Sequence, residues 1–487
     1  MKSIFTYLAI ITTLHSAIAQ ELAMPMTLSD AIIMATNSNP AIEAARYAES
    51  VANSNRKAAI GLRMPQIYLS GNFTHLSKDI AIDVNHLKSL TESTAADFLA
   101  LGVQSNAISP QFAALVTESL KPLITKDWSL TLQKKNICAI GSEIAIPIYT
   151  GGRINAANRT AEIEEKITQQ ATALTYNTLI SEVITRYFGL ALASQVIEVR
   201  QATADGIAQH LKSAIALEQS GMIPRSERLY VEYKMSQAER ELQEAKLQYN
   251  TVMSALSTTI AGEPMQILPT TTMFVCDSIE DISLFYEQAA MQNPILATAG
   301  LQRQMADECV KAERADYLPQ IAITGAGSLY SHQLSDILPR WNVGLGINLK
   351  IFDGFAREHR YAAAKTRVKY AEQLEFDAYN GIANLIEALY NELANCRNKV
   401  SSLQTSIAFA EEYLRDIRIA FNEGIAVATD VIDAELNLSK ARIERIEAAY
   451  TYDITLAQLL AAAGISDLFM DYNNSPDAQH ITFTNQP

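Results

Sequence analysis

Residues 341–354 read WNVGLGINLKIFDG, and the 69 residues that follow them, up to Gly424, contain no proline. Apolar side chains occupy every second position from Trp341 to Ile351, with Asn, Gly and Lys between them, so this period of two predicts a β-strand. The strand is long enough to cross a bilayer when tilted. The proline-free segment predicts a helix about 100 Å long at about 1.5 Å per residue. Together they indicate a mainly α protein with a membrane β-region.

The same arrangement of strand, long segment and glycine occurs earlier in the chain. IYTG at residues 148–151 corresponds to IFDG at 351–354, and the offset of 203 also relates Gly221 to Gly424. Nearer the amino terminus the offset is 254, because NPAI at residues 39–42 corresponds to NPIL at 293–296. Two copies of this length indicate an internally duplicated protein and not a short-repeat solenoid.

The difference between the two offsets places 51 extra residues in the first copy, at about residues 75–134. We therefore divide the chain into a first structural repeat at 20–262, a second at 263–468 and a polar C-terminal tail at 469–487. Because the insertion connects the first two predicted strands, we expect it at the end of the β-region away from the helices. Segments such as Ala95–Leu101 and Phe112–Leu120 are candidates for short helices within it. Its use remains open between a plug, a surface contact and a tolerated insertion without a role.

Each copy is predicted to contain one long helix and two shorter ones stacked end to end beside it. The long helices lie between Gly152 and Gly221 and between Gly354 and Gly424. The shorter ones are Pro40–Arg63, Pro224–Ala261, Pro294–Tyr317 and Ala426–Ala463.

The long helix of the second copy carries the apolar spacing of a coiled coil. Steps of three and four alternate through Leu393, Cys396, Val400, Leu403, Ile407, Ala410, Leu414, Ile417 and Phe421. Upstream, Ile382, Leu385 and Leu389 continue the row with one extra step of four. That extra step predicts a stutter, which would locally relax the supercoil.

Three more segments are predicted as strands, which makes four strands in all, two per copy. They are centred on Ile67 and Leu69, on the isoleucines from Ile140 to Ile148, and on Ile321 and Ile323. A membrane barrel needs at least about eight strands, so four strands require an oligomer. Twelve strands from three subunits and eight from two are both open on this argument.

The amino terminus predicts export. A lysine at position 2, an apolar stretch from Ile4 to Leu14 and the small residues Ala17 and Ala19 have the form of a signal peptide at residues 1–19. After residue 20 there is no apolar run long enough for a membrane-spanning helix.

Composition excludes several classes of function. The formal net charge is −14 and no Lys/Arg-rich run is present, so nucleic-acid binding is a poor interpretation. The four cysteines form no CxxC pair, and the seven histidines form no HExxH pair, so neither a metal cofactor nor a redox site is predicted. Cys396 lies in the coiled-coil row, where a packed thiol is expected. No catalytic constellation is found.

The segment from Phe421 to Glu435, FNEGIAVATDVIDAE, is the most specific part of the sequence. With the duplication and the order of helices and strands, it resembles the turn and return helix of the TolC-like outer-membrane efflux family. The resemblance implies a homotrimer with a 12-stranded outer-membrane β-barrel, four strands per chain, continued by a long α-helical barrel through the periplasm. It also implies contact with outer-membrane lipid, a periplasmic adaptor protein and an inner-membrane pump of the RND or ABC type as partners. Whether such a duct exports drugs, metals or proteins is left open.

The resemblance assigns the periplasmic entrance to the two glycine turns. In the family, two acidic residues just after the second turn project into the entrance, and Asp430 and Asp433 occupy the matching positions. Three residues apart on a helix, they share a face. Three subunits would place six carboxylates around the aperture, which would favour cations. The alternative is that both acids merely interact favourably with the helix dipole.

The family also closes its entrance with polar links between the two turns. Ser226 and Glu227 align with one side of those links, but Phe421 and Ala426 stand where the other side usually offers a tyrosine and an arginine. Because these donors are missing, we expect a weakly latched closed state. Two neighbouring cations either replace the lost partners or are simply solvated; these are Arg225 and Arg228.

The rival interpretation is an exported structural or surface-interaction protein. In it, the long helices form an ordinary trimeric coiled coil and the strands a small cap.

Overall fold

The computed structural model describes residues 24–262, 264–334 and 339–483, and the predicted signal peptide lies outside them. In chain order the elements are β1 (Met24–Met26), α1 (Leu28–Ser38), α2 (Pro40–Gly61), β2 (Gln66–His75), β3 (Ile80–Asp83), α3 (Asn85–Gln104), α4 (Pro110–Thr125), β4 (Ser129–Gln133), β5 (Asn136–Tyr149), α5 (Arg153–Gln219), α6 (Arg225–Ala261), β6 (Ile267–Pro269), β7 (Met273–Cys276), α7 (Ile282–Gln292), α8 (Pro294–Ala315), β8 (Gln320–His332), β9 (Trp341–Asn348), α9 (Ala356–Asn422), α10 (Ala428–Ala463), α11 (Phe469–Asn473) and β10 (Ala478–Ile481). Contacts divide the chain into two units. Unit one contains the described residues up to Lys57, Arg159–Cys309 and those from Ala363 onward, and unit two contains Ala58–Asn158 and the described part of 310–362.

The two long helices are confirmed. α5 and α9 contain 67 residues each, and both begin and end next to the glycines that bound the proline-free segments. At about 1.5 Å per residue each is about 100 Å long. The mainly helical character predicted from the sequence is therefore correct.

The apolar row of α9 is confirmed with one correction. Leu393, Cys396 and Leu414 are at most 4% exposed. Leu385, however, is 45% exposed, whereas its neighbour Ile386 is fully buried. With Ile386 in the row, the steps from Ile382 onward alternate between four and three without interruption, so the predicted stutter is wrong.

The core of unit one is built around buried aromatic rings. Phe274 and Phe469 pack with their ring centroids 5.6 Å apart, and Phe274 also contacts Tyr452. The hydroxyl of Tyr187 donates to the carbonyl of Met26 at 2.7 Å and accepts two backbone N–H groups from the segment after β6. These contacts bring the two-stranded pairs β1–β6, which is parallel, and β7–β10, which is antiparallel, onto the helices.

The segment described from the sequence only as a polar tail contributes to this core. Its helix α11 begins at the buried Phe469, and its strand β10 ends at the buried Ile481. Strand β10 pairs with β7 from Ala478 to Ile481.

Asp453 is a buried carboxyl group in the middle of α10. It is fully buried; its Oδ2 accepts the N–H of Phe274 at 3.3 Å, and its Oδ1 has no hydrogen-bond partner among the described residues. Burial raises the pKa of Asp453 well above its usual range. The folded protein therefore keeps a proton on this group that the unfolded chain releases above about pH 4.

We expect the substitution Asp453→Asn to raise stability at neutral pH. Because the folded-state pKa is raised, wild-type stability falls as pH rises from about 4 toward that pKa, and the uncharged amide removes this loss. The midpoint of thermal unfolding, measured by circular dichroism between pH 4 and 8, should differ more between D453N and wild type as pH increases. The exposed Asp416→Asn serves as the control. A constant difference across this range would contradict the prediction.

The bounds of the elements recur at the two sequence offsets. Helices α1 and α2 match α7 and α8 in length and lie 254 residues before them. Helix α5 matches α9 in length at an offset of 203, and α6 begins 203 residues before α10. Thr27 and Asp281, the residues before α1 and α7, both cap their helices with side-chain oxygens.

Unit two contains a four-stranded antiparallel sheet in the order β2-β5-β8-β9. These are the four segments predicted as strands. Strand β9 is shorter than predicted and ends at Asn348, which pairs with Gln320, the first residue of β8. Beyond that point Pro319 cannot donate to the ladder, and the guanidinium of Arg357 binds the carbonyls of Lys350 and Ile351 instead.

The insertion folds as a small unit of its own within unit two. Strands β3 and β4 pair antiparallel, and between them run α3 and α4, which are longer than the two short helices expected from the sequence. Among the described residues, no helix combines the length and apolar character that a membrane span requires.

Candidate functional site

Both long helices end in the same glycine turn. Gly221 and Gly424 each have φ of 74°, the left-handed conformation that glycine adopts without a steric cost. The N–H of Met222 donates to the carbonyl of Leu217 at 2.9 Å, and that of Ile425 donates to Ala420 at 2.8 Å. With the shorter bonds from the glycine N–H groups, these are Schellman motifs. The two predicted turn glycines therefore stop the long helices at matching points.

The two turns contact each other within unit one. The N–H of Ala428, the first residue of α10, donates to Oε2 of Glu227 at 3.3 Å. Val427, the N-cap residue of α10, provides no side-chain cap, so Glu227 from the first turn fills that role for the second. A Cβ on Gly424 would lie 3.8 Å from Cε of Met222. Glu227 is thus the latch candidate that the structure brings to the second turn.

The other latch candidates do not reach the second turn. Arg228 donates from Nε to Glu218 at 2.5 Å and from Nη1 to Glu232 at 2.7 Å, both within the first copy. Arg225 and Ser226 are exposed, and neither makes an ion pair or side-chain hydrogen bond within the part of the chain that the structure describes. Arg228 therefore closes its own turn.

Asp430 and Asp433 lie on the exposed side of α10. Asp430 is in the first turn of the helix, and the residues between the two acids, Val431 and Ile432, are buried. Neither carboxylate forms an ion pair with a described residue. Both charges are consequently presented to solvent next to the second turn.

The two turns are closed by different chemistry. The pair Glu218 and Arg228 of the first copy corresponds, at the offset of 203, to Phe421 and Val431 of the second. Phe421 is 2% exposed and Val431 is 1% exposed, and both belong to one apolar cluster. An ion pair thus stands in one turn where apolar packing stands in the other. The sequence analysis missed the ion pair, although comparison of the two copies at this offset contains the signal.

A second polar contact near the turns was also missed. Glu435 on α10 is 7% exposed, and its Oε2 lies 2.5 Å from Nη2 of Arg418 on α9 and 3.6 Å from Nε2 of His210 on α5. A Cβ on Gly206, also on α5, would lie 2.7 Å from Oε1 of Glu435. We call Gly206, His210, Arg418 and Glu435 the Glu435 cluster.

The Glu435 cluster holds an ionised carboxylate in a buried position. Burial by itself raises the pKa of Glu435, but the hydrogen bond from His210 and the charge of Arg418 outweigh burial and leave the pKa below its usual value. The cluster joins a helix of the first copy to two helices of the second. Glu435 was quoted in the sequence only as the end of the turn segment.

The described ranges hold no group of three or more His, Cys, Asp or Glu residues arranged to bind a metal ion.

Solved structures with this fold are outer-membrane channels. The Campylobacter jejuni CmeC outer membrane channel superposes with a TM-score of 0.69 and 13% identity, covering 90% of this chain and 86% of that one. The open state of the Neisseria gonorrhoeae MtrE outer membrane channel gives a TM-score of 0.67 and 16% identity, covering 90% and 89%. The fold therefore defines the class: a helical outer-membrane channel protein.

By sequence, the chain belongs to the outer membrane efflux protein family, which it matches over residues 110–262 and 285–465. The resemblance predicted from the sequence is confirmed, and so is location in the outer membrane.

Three relatives illustrate the range of the family. Outer membrane protein TolC of Escherichia coli is 22% identical over 59% of this chain and 61% of TolC. Alkaline protease secretion protein AprF of Pseudomonas aeruginosa is 22% identical over 59% of this chain and 62% of AprF. Cobalt-zinc-cadmium resistance protein CzcC of Cupriavidus metallidurans is 23% identical over 62% of this chain and 71% of CzcC. The match thus spans less than two thirds of TolC and of AprF.

Proposed function

We propose that the chain is one subunit of an outer-membrane exit duct for efflux or type I secretion. Three copies would form the duct, with a 12-stranded barrel made from three four-stranded sheets and a helical barrel made from the long helix pairs. The observation that carries this proposal is the four-stranded sheet with two unpaired edge strands, β2 and β9. Side chains on β9 are exposed on both faces, as expected for a strand that faces lipid on one side.

The organisation of the chain supports the proposed assembly. The signal peptide at 1–19 would be removed, and the two repeats at 20–262 and 263–468 would each supply two strands and one long helix. The recurrence of helix bounds at offsets of 254 and 203 supports an internal duplication. The insertion at about 75–134 would then lie on the outer side of the membrane.

A passive duct needs partners that supply energy and select the substrate. We propose a periplasmic adaptor protein and an inner-membrane pump of the RND or ABC type. The names of the relatives, one in protease secretion and one in cobalt-zinc-cadmium resistance, support a duct whose substrate depends on the pump.

The two turns would form the periplasmic entrance. Asp430 and Asp433 would form an acidic ring, and Glu227 would tie the first turn to the second by capping α10. Because this link is one hydrogen bond to a backbone N–H, the closed state would be weakly held.

Reconstitution into planar bilayers tests the proposal. We expect the protein to fractionate with the outer membrane, to migrate as a heat-modifiable trimer, and to conduct. Replacing Ser226 and Glu227 should raise the single-channel conductance, whereas the exposed Glu423→Gln should not. Release of the chain by a carbonate wash would favour the structural coiled-coil alternative. A small conductance that both replacements leave unchanged would mean that other residues close the entrance.

A further inference from the structure

An open cavity of about 620 Å³ lies in unit one between the two helices of the second copy and the β7–β10 pair. Helix α9 contributes Arg397 and Gln404, and α10 contributes Arg445. The strands contribute Asp277, Gln479 and His480. We call this space the Arg445 cavity. Its size is that of a small-molecule site, and none of the residues proposed for the entrance lines it.

Arg445 is an unpaired cation in the wall of this cavity. Its Nε is buried without a hydrogen-bond partner, and within the described residues no carboxylate forms an ion pair with its guanidinium. Burial lowers the pKa of Arg445, and no neighbouring acid offsets this effect. A half-buried guanidinium without a counter-charge is unfavourable unless another group satisfies it.

The rest of the cavity does not neutralise Arg445. Arg397 donates to the backbone carbonyl of Asp277 at 2.7 Å, which leaves the arginine's charge uncompensated by a carboxylate. The carboxylate of Asp277 accepts from Nε2 of Gln479 at 2.7 Å. Nδ1 of His480 is within 2.9 Å of the hydroxyl of Thr272. Two guanidinium groups therefore face one carboxylate, in a chain whose net charge is −14.

Gln404 supplies a second unsatisfied group. Its Oε1 is buried without a hydrogen-bond partner among the described residues. Half a turn of the amide would present its NH₂ group to the cavity instead, so Gln404 is able to serve as a donor.

Comparison of the two copies indicates that the fold does not need these arginines. At the offset of 203, Arg445 corresponds to Leu242, which is 7% exposed, and Arg397 corresponds to Ser194. A leucine thus fills the equivalent place on the first return helix. The cationic character belongs to the second copy alone.

We propose that the Arg445 cavity binds an oxyanion, with Arg445 and Arg397 as its cationic partners and Gln404 as an additional donor. A guanidinium offers parallel N–H donors that match a carboxylate or a phosphate. The bound oxyanion would tie the two helices of the second copy to the terminal strand.

Titration of the purified full-length protein in detergent tests the site. Citrate and inorganic phosphate are added in separate arms at constant ionic strength, with sodium chloride as the reference, and unfolding is followed by circular dichroism. We expect a saturable rise in the midpoint with one of the two, and the responding arm distinguishes a carboxylate from a phosphate ligand. A midpoint that follows the chloride reference in both arms would overturn the proposal.

Substitutions then assign the response to the cavity. Arg445→Leu copies Leu242 of the first copy and is expected to weaken binding at least tenfold while keeping the fold. Arg397→Ser, which copies Ser194, should weaken it as well and provides a second variant. Arg415→Leu is the matched control, because Arg415 is exposed on α9 and pairs with Glu412 on the same helix. Unchanged binding in both cavity variants would contradict the assignment.

Discussion

Substitution of Glu435 by Gln is expected to lower the free energy of unfolding by about 2 kcal/mol at pH 7.5. The change leaves Arg418 and His210 without the carboxylate that joins them. Breaking a fully buried ion pair costs about 3–5 kcal/mol, but Arg418 is 43% exposed, so solvent reduces the loss. The midpoint of urea unfolding, followed by circular dichroism on the purified protein, measures this effect.

The pH dependence distinguishes loss of the ion pair from a general packing defect. The pKa of Glu435 is lowered in the folded protein, so its contribution is complete above the unfolded-state pKa of about 4.3 and is lost as pH falls through the folded-state pKa. Wild type and E435Q should therefore converge in acid. Glu447→Gln, an exposed site on the same helix, should have little effect at any pH. A deficit in E435Q that persists at pH 3 would point to packing instead.

Gly206 provides an independent perturbation of the same cluster. In most helix interiors, Gly→Ala stabilises by about 1 kcal/mol. Here the new Cβ would lie 2.7 Å from Oε1 of Glu435, so the carboxylate must move away from Arg418 or His210. We expect G206A to be no more stable than wild type, and to gain stability only when combined with E435Q.

The long helices and the turns were predictable because their signals are local. Absence of proline between two glycines sets the bounds of α5 and α9, and a left-handed residue at Gly221 or Gly424 needs no tertiary partner. The strands were equally accessible from their period of two, except at the end of β9. There the strand stops because Arg357 takes carbonyls that a ladder would otherwise use.

The remaining features depend on contacts that sequence spacing does not specify. Leu385 and Ile386 both satisfy a spacing of three or four, and only packing selects Ile386 for the buried row. The Glu435 cluster joins α5 to residues more than 200 positions later, so no local pattern announces it. For Arg228, an acid ten residues earlier, Glu218, decides that it closes its own turn and does not reach the second.

Simultaneous replacement of Asp430 and Asp433 by Asn is expected to weaken block of the channel current by a trivalent lanthanide ion roughly tenfold or more. In the proposed trimer, the change removes six carboxylates from one aperture. Both side chains are exposed and without ion-pair partners among the described residues, so their charges are available to a permeating ion. The ratio of cation to anion permeability should fall with the affinity for the blocker. Planar-bilayer recordings with the lanthanide on the periplasmic side measure both.

Ionic strength separates an acidic ring from charges that merely stabilise the helix start. The screening length is about 30 Å at 0.01 M salt and about 3 Å at 1 M, so the difference between wild type and the double variant should be large at low salt and small at high salt. The control D416N/E423Q also removes two exposed acids, one on α9 and one at its end. If that control changes selectivity as much as D430N/D433N, net charge near the entrance governs permeation. If neither does, the two acids act only on the first turn of α10, where the helix dipole favours them by about 0.3–1 kcal/mol each.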